Sequence, residues 1–199
     1  MKVCGLTGGV GMGKSTTAGF LRERGVPVVD TDELARRLVQ PSQSALAEIQ
    51  SAFGKTVVAS TGELNRDELA RIVFADPDAR KKLEAILHPR IREQWLAQIE
   101  TWRGEGRLLT VVVIPLLFET RSESHFDKII CTACSATAQR ERLLARGWTS
   151  EQIGQRIAAQ MPVEQKIARA DFVIWTEGTL AVHARQADEI LARLTPMLA

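Results

Sequence analysis

Hydrophobic and polar segments alternate along the chain in a way that predicts strands separated by helices. Apolar residues within 3–6 indicate a short buried strand. A helix is predicted over 14–24, because Ala18 and Leu21 are spaced to face a core and a glycine ends the pattern. Residues 26–30 form a second apolar segment at the distance of a crossover connection. This order predicts a parallel sheet with right-handed connections.

The next stretch, 41–106, has the periodicity of helices rather than strands. Asn65 is placed to cap one helix, and Pro77 is tolerated in the first turn of another. Pro89 is expected to interrupt that second helix, since proline removes a backbone hydrogen bond. An amphipathic run over 91–102 then resumes with a core-facing side. So much helix between two strands predicts an inserted substrate-binding subdomain.

The second half of the chain returns to strands. Residues 108–114 are apolar and valine-rich, as expected for a strand buried on both faces. Further strands are predicted at 128–132 and 172–174, with two arginine-rich helices between them. A final helix over about 179–198 is expected to cover the sheet.

A glycine-rich loop between the first strand and the first helix carries the clearest chemical signal. Residues 8–15 fit the pattern G-x-x-x-x-G-K-[ST] in the strand–loop–helix context that a phosphate-binding loop requires. Glycines let the backbone wrap an anion, the helix N-terminus adds partial positive charge, and Lys14 neutralises the outer phosphates. The hydroxyl of Ser15 can ligate Mg²⁺. The predicted nucleotide-binding residues are Gly9, Gly11, Met12, Gly13, Lys14, Ser15 and Thr16.

Two carboxylates follow the second predicted strand. Asp30 and Asp32 are two residues apart, so on an extended chain they point the same way, toward the ligand crevice of an open sheet. They could hold hydrated Mg²⁺ or accept a proton. Alternatively, Asp32 simply caps the following helix. The spacing does not show which of the two carboxylates holds Mg²⁺ and which accepts a proton.

Arginines are concentrated in the region 135–169. Arg142 and Arg146 lie four residues apart and share a helical face, and the charged residues Arg156, Lys166 and Arg169 follow. Such a run is usually a solvated surface. In a nucleotide-binding chain it also fits a lid that closes over phosphates, because the guanidinium fork suits phosphate oxygens.

Composition sets few further limits. The 199 residues are 45% hydrophobic and 25% charged with a net charge of +2, which suits one soluble domain over 1–199. Nothing here requires a nucleic-acid or membrane partner, and the early first strand leaves no room for a signal peptide. A cytoplasmic protein, monomeric or weakly homo-oligomeric, is expected. Cys131 and Cys134 form a lone C-x-x-C, which favours a structural interpretation over a redox or metal site.

Together these motifs resemble the dephospho-CoA kinase family. The similarity runs in order from residue 3 to residue 178, almost the full chain. The matching segments are Leu6-Thr7-Gly8-Gly9, Asp30-x-Asp32, Ala35-Arg36, Leu87-His88-Pro89, Pro115-Leu116-Leu117-Phe118-Glu119, Gln160 and Ala170-Asp171-Phe172-Val173-Ile174. The glycine loop occurs in many NTPases, whereas this combination is far more specific.

The resemblance implies a fold, a reaction and a set of roles. The implied fold is an α/β P-loop kinase similar to nucleoside-monophosphate kinases, with a five-stranded parallel sheet and flanking helices. It adds a helical acceptor-binding insert over 41–106 and a helical lid. The implied reaction is ATP-dependent phosphorylation of the ribose 3′-hydroxyl of dephospho-CoA, which gives CoA and ADP.

The roles that the resemblance carries over are specific to residues. Asp32 is the expected base, and Arg142 and Arg146 are the lid arginines. The motif and the spacing, rather than the resemblance, give Ser15 and, through water, Asp30 as the expected partners of Mg²⁺. Arg36 and His88 map to the acceptor side. The family often has serine where this chain has Met12, and commonly asparagine near the adenine, where this chain continues Trp175-Thr176-Glu177. No base-recognition residue is therefore predicted.

Three rival functions share parts of this pattern. A kinase for another small acceptor, such as a nucleoside monophosphate, would share the loop and the lid but differ in the helical insert. A switch GTPase is disfavoured, since the chain has no Asn-Lys-x-Asp segment. An inert ATP-binding scaffold is also disfavoured, since it would give no function to the two aspartates and the arginines.

Overall fold

The computed structural model describes residues 1–195, and within them it contains a five-stranded parallel sheet. The strands are β1 (Lys2–Gly8), β2 (Val28–Asp30), β3 (Leu109–Val113), β4 (Lys128–Ala133) and β5 (Phe172–Trp175). Their order across the sheet is β2-β3-β1-β4-β5. The central β1 pairs with β3 on one side and β4 on the other, with Leu6 opposite Val113 and Ile130. The predicted α/β class and parallel sheet are confirmed.

The helices follow the predicted order. They are α1 (Lys14–Glu23), α2 (Thr31–Leu38), α3 (Ser44–Phe53), α4 (Arg66–Ala75), α5 (Pro77–Gly104), α6 (Ala136–Ala145), α7 (Ser150–Ala158), α8 (Val163–Arg169) and α9 (Leu180–Leu194). The cap predicted at Asn65 is confirmed, because the Asn65 side chain accepts a hydrogen bond from the Glu68 amide at the start of α4. Thr149 and Gln152 form a capping box at the start of α7.

The described chain divides into two compact units. One comprises residues 1–30 together with the chain from Ile99 onward, and the other comprises Thr31–Gln98. The core of the first unit is built on the sheet, α1 and α9, and includes Leu6, Leu21 and Ile190. The second unit has its own apolar core, which includes Ile49, Leu69 and Ile86. It begins and ends earlier in the chain than the predicted insert over 41–106, and its role in binding the acceptor stays a prediction.

The predicted break at Pro89 is wrong, because α5 runs through it without interruption. Side chains on both sides of the proline hold the helix in place. Ile86 is buried in the core of its unit. The Arg90 guanidinium donates to the Ile86 carbonyl at 2.6 Å and to a Glu48 carboxylate oxygen at 2.6 Å. These contacts stabilise the helix next to Pro89, where proline donates no backbone hydrogen bond.

The region between β4 and β5 also differs from the prediction. It contains three helices rather than two, since Pro162 precedes a further short helix, α8. The final helix α9 ends at Leu194, and the predicted extension to Leu198 lies outside the described residues. Within residues 1–195 no helix combines the length and apolar character needed to cross a membrane.

Candidate phosphate-binding site

The loop between β1 and α1 has a backbone that glycine alone adopts easily. Gly13 precedes α1 in a left-handed conformation with φ of 86°, and Gly11 has φ of 75°. A Cβ on Gly13 would lie 2.9 Å from the Thr176 methyl group, and one on Gly8 would lie 2.4 Å from the Thr132 carbonyl oxygen. Both conformation and space therefore require glycine, which explains the motif in physical terms.

Lys14 lies at the start of α1 and turns its side chain back over this loop. Its ammonium donates to the carbonyl oxygens of Gly8 and Gly9, each at 2.9 Å. Ser15 beside it is exposed, and Thr16 is half-buried. A positive side chain and a helix N-terminus thus converge at one place, which is the arrangement that binds phosphate.

The loop packs against polar residues from the end of β5 and from α6 and α9. Met12 is a buried residue of the loop, and its carbonyl accepts a hydrogen bond from the Thr176 hydroxyl at 3.4 Å. The Arg142 guanidinium donates to both the hydroxyl (2.8 Å) and the carbonyl (2.5 Å) of Thr176. His183 Nε2 lies 2.8 Å from the Thr17 hydroxyl. Arg142 is thus held close to the loop, whereas Arg146 is exposed at the end of α6.

The two predicted acids occupy different elements. Asp30 is the last residue of β2 and is half-buried, whereas Asp32 lies in the first turn of α2 and is exposed. The expectation that both project from one extended segment is wrong, because the helix begins at Thr31 directly after the strand. Asp32 is also inside the helix rather than its cap. A carboxylate in the first turn of a helix interacts favourably with the positive end of the helix dipole.

The predicted acceptor-side residues both belong to the unit Thr31–Gln98. Arg36 is exposed in the last turn of α2. His88 borders a cleft of about 580 Å³ along α5, together with Glu84, Arg92 and Leu96. Burial of the imidazole lowers the pKa of His88, although the charge of Glu84 opposes that shift. His88 therefore favours the neutral imidazole.

The model of one protein family covers nearly the whole chain. The dephospho-CoA kinase family model matches residues 2–181. The dephospho-CoA kinase of Anaeromyxobacter dehalogenans is 45% identical over 195 residues, which cover 98% of this chain and 92% of that protein. This chain belongs to the dephospho-CoA kinase family. The resemblance read from the motifs is confirmed.

Two solved structures share the fold of this chain. The crystal structure of TT1252 from Thermus thermophilus superimposes with a TM-score of 0.82 and 35% identity, covering 98% of each chain. The dephospho-CoA kinase from Campylobacter jejuni superimposes with a TM-score of 0.66, over 98% of this chain and 97% of that one. At 24% identity, this second match supports the fold alone.

The segment that departs from the dephospho-CoA kinase pattern, Trp175-Thr176-Glu177, has structural partners here. Thr176 connects Arg142 to the loop, as described above. The Glu177 carboxylate accepts from the Ser135 amide at 2.9 Å and from the Ser135 hydroxyl at 2.7 Å. These hydrogen bonds from Ser135 hold the pKa of Glu177 below its usual value. Glu177 therefore fixes the turn between β4 and α6.

The position of Lys166 differs from the one expected for the charged residues of the region 135–169. The sequence favoured a solvated or phosphate-facing role, but its side chain is fully buried. Its ammonium donates to the Pro115 carbonyl at 2.7 Å and pairs with a Glu119 carboxylate oxygen at 2.8 Å. Glu119 lies in the Pro-Leu-Leu-Phe-Glu segment of the dephospho-CoA kinase pattern. No local signal could have revealed this pair, because its members are distant in sequence and α8 folds back onto the sheet.

The cysteines lack the features of a reactive or metal-binding pair. Cys4, Cys131 and Cys134 are all free and buried. Burial raises the pKa of the Cys131 thiol to about 11 and also raises the pKa of Cys134. Both thiols therefore stay protonated near neutral pH. Among residues 1–195 no group of three or more His, Cys, Asp or Glu side chains could hold a metal ion.

His183 behind the loop leads to a pH prediction. Burial, together with the charge of Arg142, lowers the pKa of His183 in the folded protein. As pH falls through the unfolded value of about 6.5, the unfolded chain binds a proton at this position before the folded protein does. The free energy of unfolding should therefore fall between pH 7.5 and 5.5, by up to about 1.4 kcal/mol per pH unit from this group.

The measurement is urea unfolding of the wild type and of His183→Gln across that pH range. Glutamine keeps a polar group near Thr17 but does not titrate. The variant should lose less stability on acidification than the wild type. Equal pH slopes in the two proteins would contradict the assignment of this dependence to His183.

Proposed function

We propose that this chain transfers the γ-phosphoryl group of ATP to the ribose 3′-hydroxyl of dephospho-CoA, giving CoA and ADP. Membership of the dephospho-CoA kinase family supports the reaction. The observation that carries the proposal is the Lys14 ammonium, directed over a glycine loop at the start of α1. This loop is the part of the fold suited to a polyphosphate.

The loop residues are assigned to the triphosphate. Gly9, Gly11, Met12 and Gly13 shape a backbone whose amides face the phosphate oxygens, and Thr16 adds a further amide and a hydroxyl. Lys14 would exchange its carbonyl partners on Gly8 and Gly9 for the outer phosphates. Phosphoryl transfer depends mainly on such positioning and neutralisation of charge, with little covalent chemistry for the protein to perform.

The residues present fit a magnesium ion bound together with the nucleotide. Mg²⁺ prefers oxygen ligands and usually keeps several waters, so it requires only one or two protein groups beside the phosphates. Ser15 is exposed beside Lys14, and Asp30 ends β2, which is separated from β1 by β3 in the same sheet. We assign Ser15 as a direct ligand and Asp30 as a partner through water. When bound, Mg²⁺ supplies neutralisation of the phosphate charge.

Asp32 is assigned as the general base that accepts the proton of the 3′-hydroxyl. Its exposed carboxylate in the first turn of α2 is accessible to a substrate. Arg36, one turn further along the same helix, is assigned to the acceptor, and so is His88 on α5. A neutral His88 can donate or accept one hydrogen bond to the acceptor without adding charge.

Arg142 and Arg146 are assigned to the phosphates during transfer. Arg142 is held by Thr176 near the loop, so its charge is already placed before substrate binds. Exposed Arg146 would add a second guanidinium on closure of the segment 135–169. Stabilising the equatorial oxygens and excluding water would suppress wasteful hydrolysis of ATP.

Two broader properties belong to the same proposal. The enzyme is proposed to act in the cytoplasm as a monomer or weak homo-oligomer. Its partners are then small molecules, with no nucleic acid or membrane among them. A near-neutral net charge of +2 supports this view, since it gives no strong attraction to polyanionic surfaces.

An acceptor panel tests the proposed substrate. With Mg²⁺ and ATP fixed, ADP release is measured with dephospho-CoA, AMP, other nucleoside monophosphates and shikimate. We expect kcat/KM for dephospho-CoA to exceed that for the other acceptors by about 10²-fold or more, and ³¹P NMR should locate the new phosphate at the 3′ position. Preferred turnover of a nucleoside monophosphate would contradict the proposal.

A further inference from the structure

Both backbone polar groups of Val10, at the outer turn of the phosphate loop, are bonded to glutamine side chains. The Val10 amide donates to Gln160 Oε1 at 2.9 Å. The Val10 carbonyl accepts from Gln139 Nε2 at 2.8 Å. A backbone N–H can only donate and a backbone C=O can only accept, so these partners fix which end of each side-chain amide faces the loop.

The two glutamines reach the loop from different parts of the chain. Gln139 is buried on α6, whereas Gln160 lies in the linker between α7 and α8. The neighbouring Met161 amide donates to Glu119 Oε1 at 2.8 Å, and the same oxygen pairs with buried Lys166. Because Lys166 also donates to the Pro115 carbonyl, the linker is fixed to the segment that follows β3, one residue away from the contact to Val10.

A cleft of about 680 Å³ lies beside these contacts, bordered by Gly9, Met12, Gln139, Gln160 and Trp175. Its open space borders Gly9 and Met12, the loop residues on either side of the outer turn. The residues Gly11, Gly13, Lys14, Ser15 and Thr16 do not border it. The two hydrogen bonds to glutamine hold Val10 itself from both its amide and its carbonyl.

We propose that Gln160 is a positioning residue for phosphoryl transfer: it holds the Val10 amide and so couples the linker between α7 and α8 to the shape of the phosphate loop. Gln139 holds the opposite side of Val10 from α6. Because the Val10 amide donates to Gln160, it does not bind phosphate. The amides of Gly11 through Thr16 bind the phosphates instead. The inference rests on the proposed function, in which those amides bind the triphosphate.

Position 160 must supply a hydrogen-bond acceptor and position 139 a donor, so the same substitution has opposite effects at the two positions. Gln160→Glu keeps the acceptor oxygen for the Val10 amide. Gln139→Glu loses the donor and sets a carboxylate against the Val10 carbonyl. Both variants add one negative charge next to the same residue. Repulsion between this charge and ATP should weaken binding similarly in both variants, so it largely cancels when their affinities are compared.

The experiment measures the Kd of a non-hydrolysable Mg–ATP analogue by calorimetry, together with KM and kcat for ATP. We expect Gln160→Glu to bind nucleotide about tenfold more tightly than Gln139→Glu, the ratio that one hydrogen bond to the backbone provides. Gln160→Leu should raise KM for ATP about tenfold, and Gln160→Glu should recover most of that loss. Equal affinities of the two glutamate variants, or the reverse order, would overturn the proposal.

Amide hydrogen exchange followed by NMR supplies a measurement that needs no catalysis. The Val10 amide should be protected in the wild type and in Gln160→Glu, and should exchange at least about tenfold faster in Gln160→Leu. Unchanged protection in Gln160→Leu would also overturn the proposal. Failure of the wild type to phosphorylate dephospho-CoA would instead contradict the proposed function, because neither nucleotide binding nor exchange depends on the acceptor.

Discussion

Replacing Asp32 with asparagine is expected to lower kcat by about 10²-fold or more, while the Kd for ATP changes little. Loss of a general base typically costs 10²–10⁴-fold, because the proton of the attacking hydroxyl must then leave without a positioned acceptor. Asparagine has nearly the same shape but cannot take up that proton. The measurement is steady-state kinetics with dephospho-CoA, combined with calorimetric titration of ATP.

Two variants near Asp32 sharpen this test. Glu33→Gln removes the same charge from the neighbouring position in the first turn of α2 and should leave kcat within about threefold of the wild type, as expected for an exposed surface change. Asp30→Asn should respond to Mg²⁺ concentration, whereas Asp32→Asn should not, because only Asp30 is assigned to the metal. Wild-type turnover in Asp32→Asn would remove this residue from the role of base.

Replacing Lys14 with methionine should reduce kcat/KM for ATP by about 10²–10³-fold, with losses in both nucleotide affinity and turnover. The ammonium is a positioned donor for the transferring phosphate, and removal of one such donor typically costs this much. Methionine keeps an unbranched stem of similar length, so the loop should retain its packing. The measurements are ATP calorimetry, kinetics and thermal unfolding.

Lys128→Met is the matched control for Lys14→Met. It removes the same charge with the same substitution, but Lys128 starts β4, whereas Lys14 starts α1 at the phosphate loop, which follows the carboxyl end of β1. Its ammonium pairs with Asp171 at 2.7 Å rather than with the loop. This variant should keep wild-type ATP kinetics. Normal ATP kinetics in Lys14→Met would contradict the assignment of the phosphate loop.

Local patterns were sufficient to predict most of the sheet and the phosphate loop. β3 is fully buried and valine-rich, so its apolar run identified it directly. The motif around Lys14 was readable because its glycines serve a backbone conformation that depends on few other residues. The cap at Asn65 was likewise predicted from nearby residues alone.

Features that depend on distant contacts were missed. Pro89 lies within an uninterrupted helix, next to an Arg90 whose contact with distant Glu48 no periodicity reveals. Lys166 looked like one more surface charge until α8 placed it against Glu119. The hydrogen bonds between Val10 and the side chains of Gln139 and Gln160 also connect positions more than a hundred residues apart. Only the folded chain brings these groups together.

A crystal structure with a non-hydrolysable ATP analogue, Mg²⁺ and dephospho-CoA tests the account most directly. We predict the triphosphate on the amides of Gly11 through Thr16, with the Lys14 ammonium on its outer phosphates. An Asp32 carboxylate oxygen should lie about 2.6–3.2 Å from the ribose 3′-hydroxyl, the reach of a general base. A loop without phosphate, or an Asp32 side chain directed away from that hydroxyl with both substrates bound, would contradict the account.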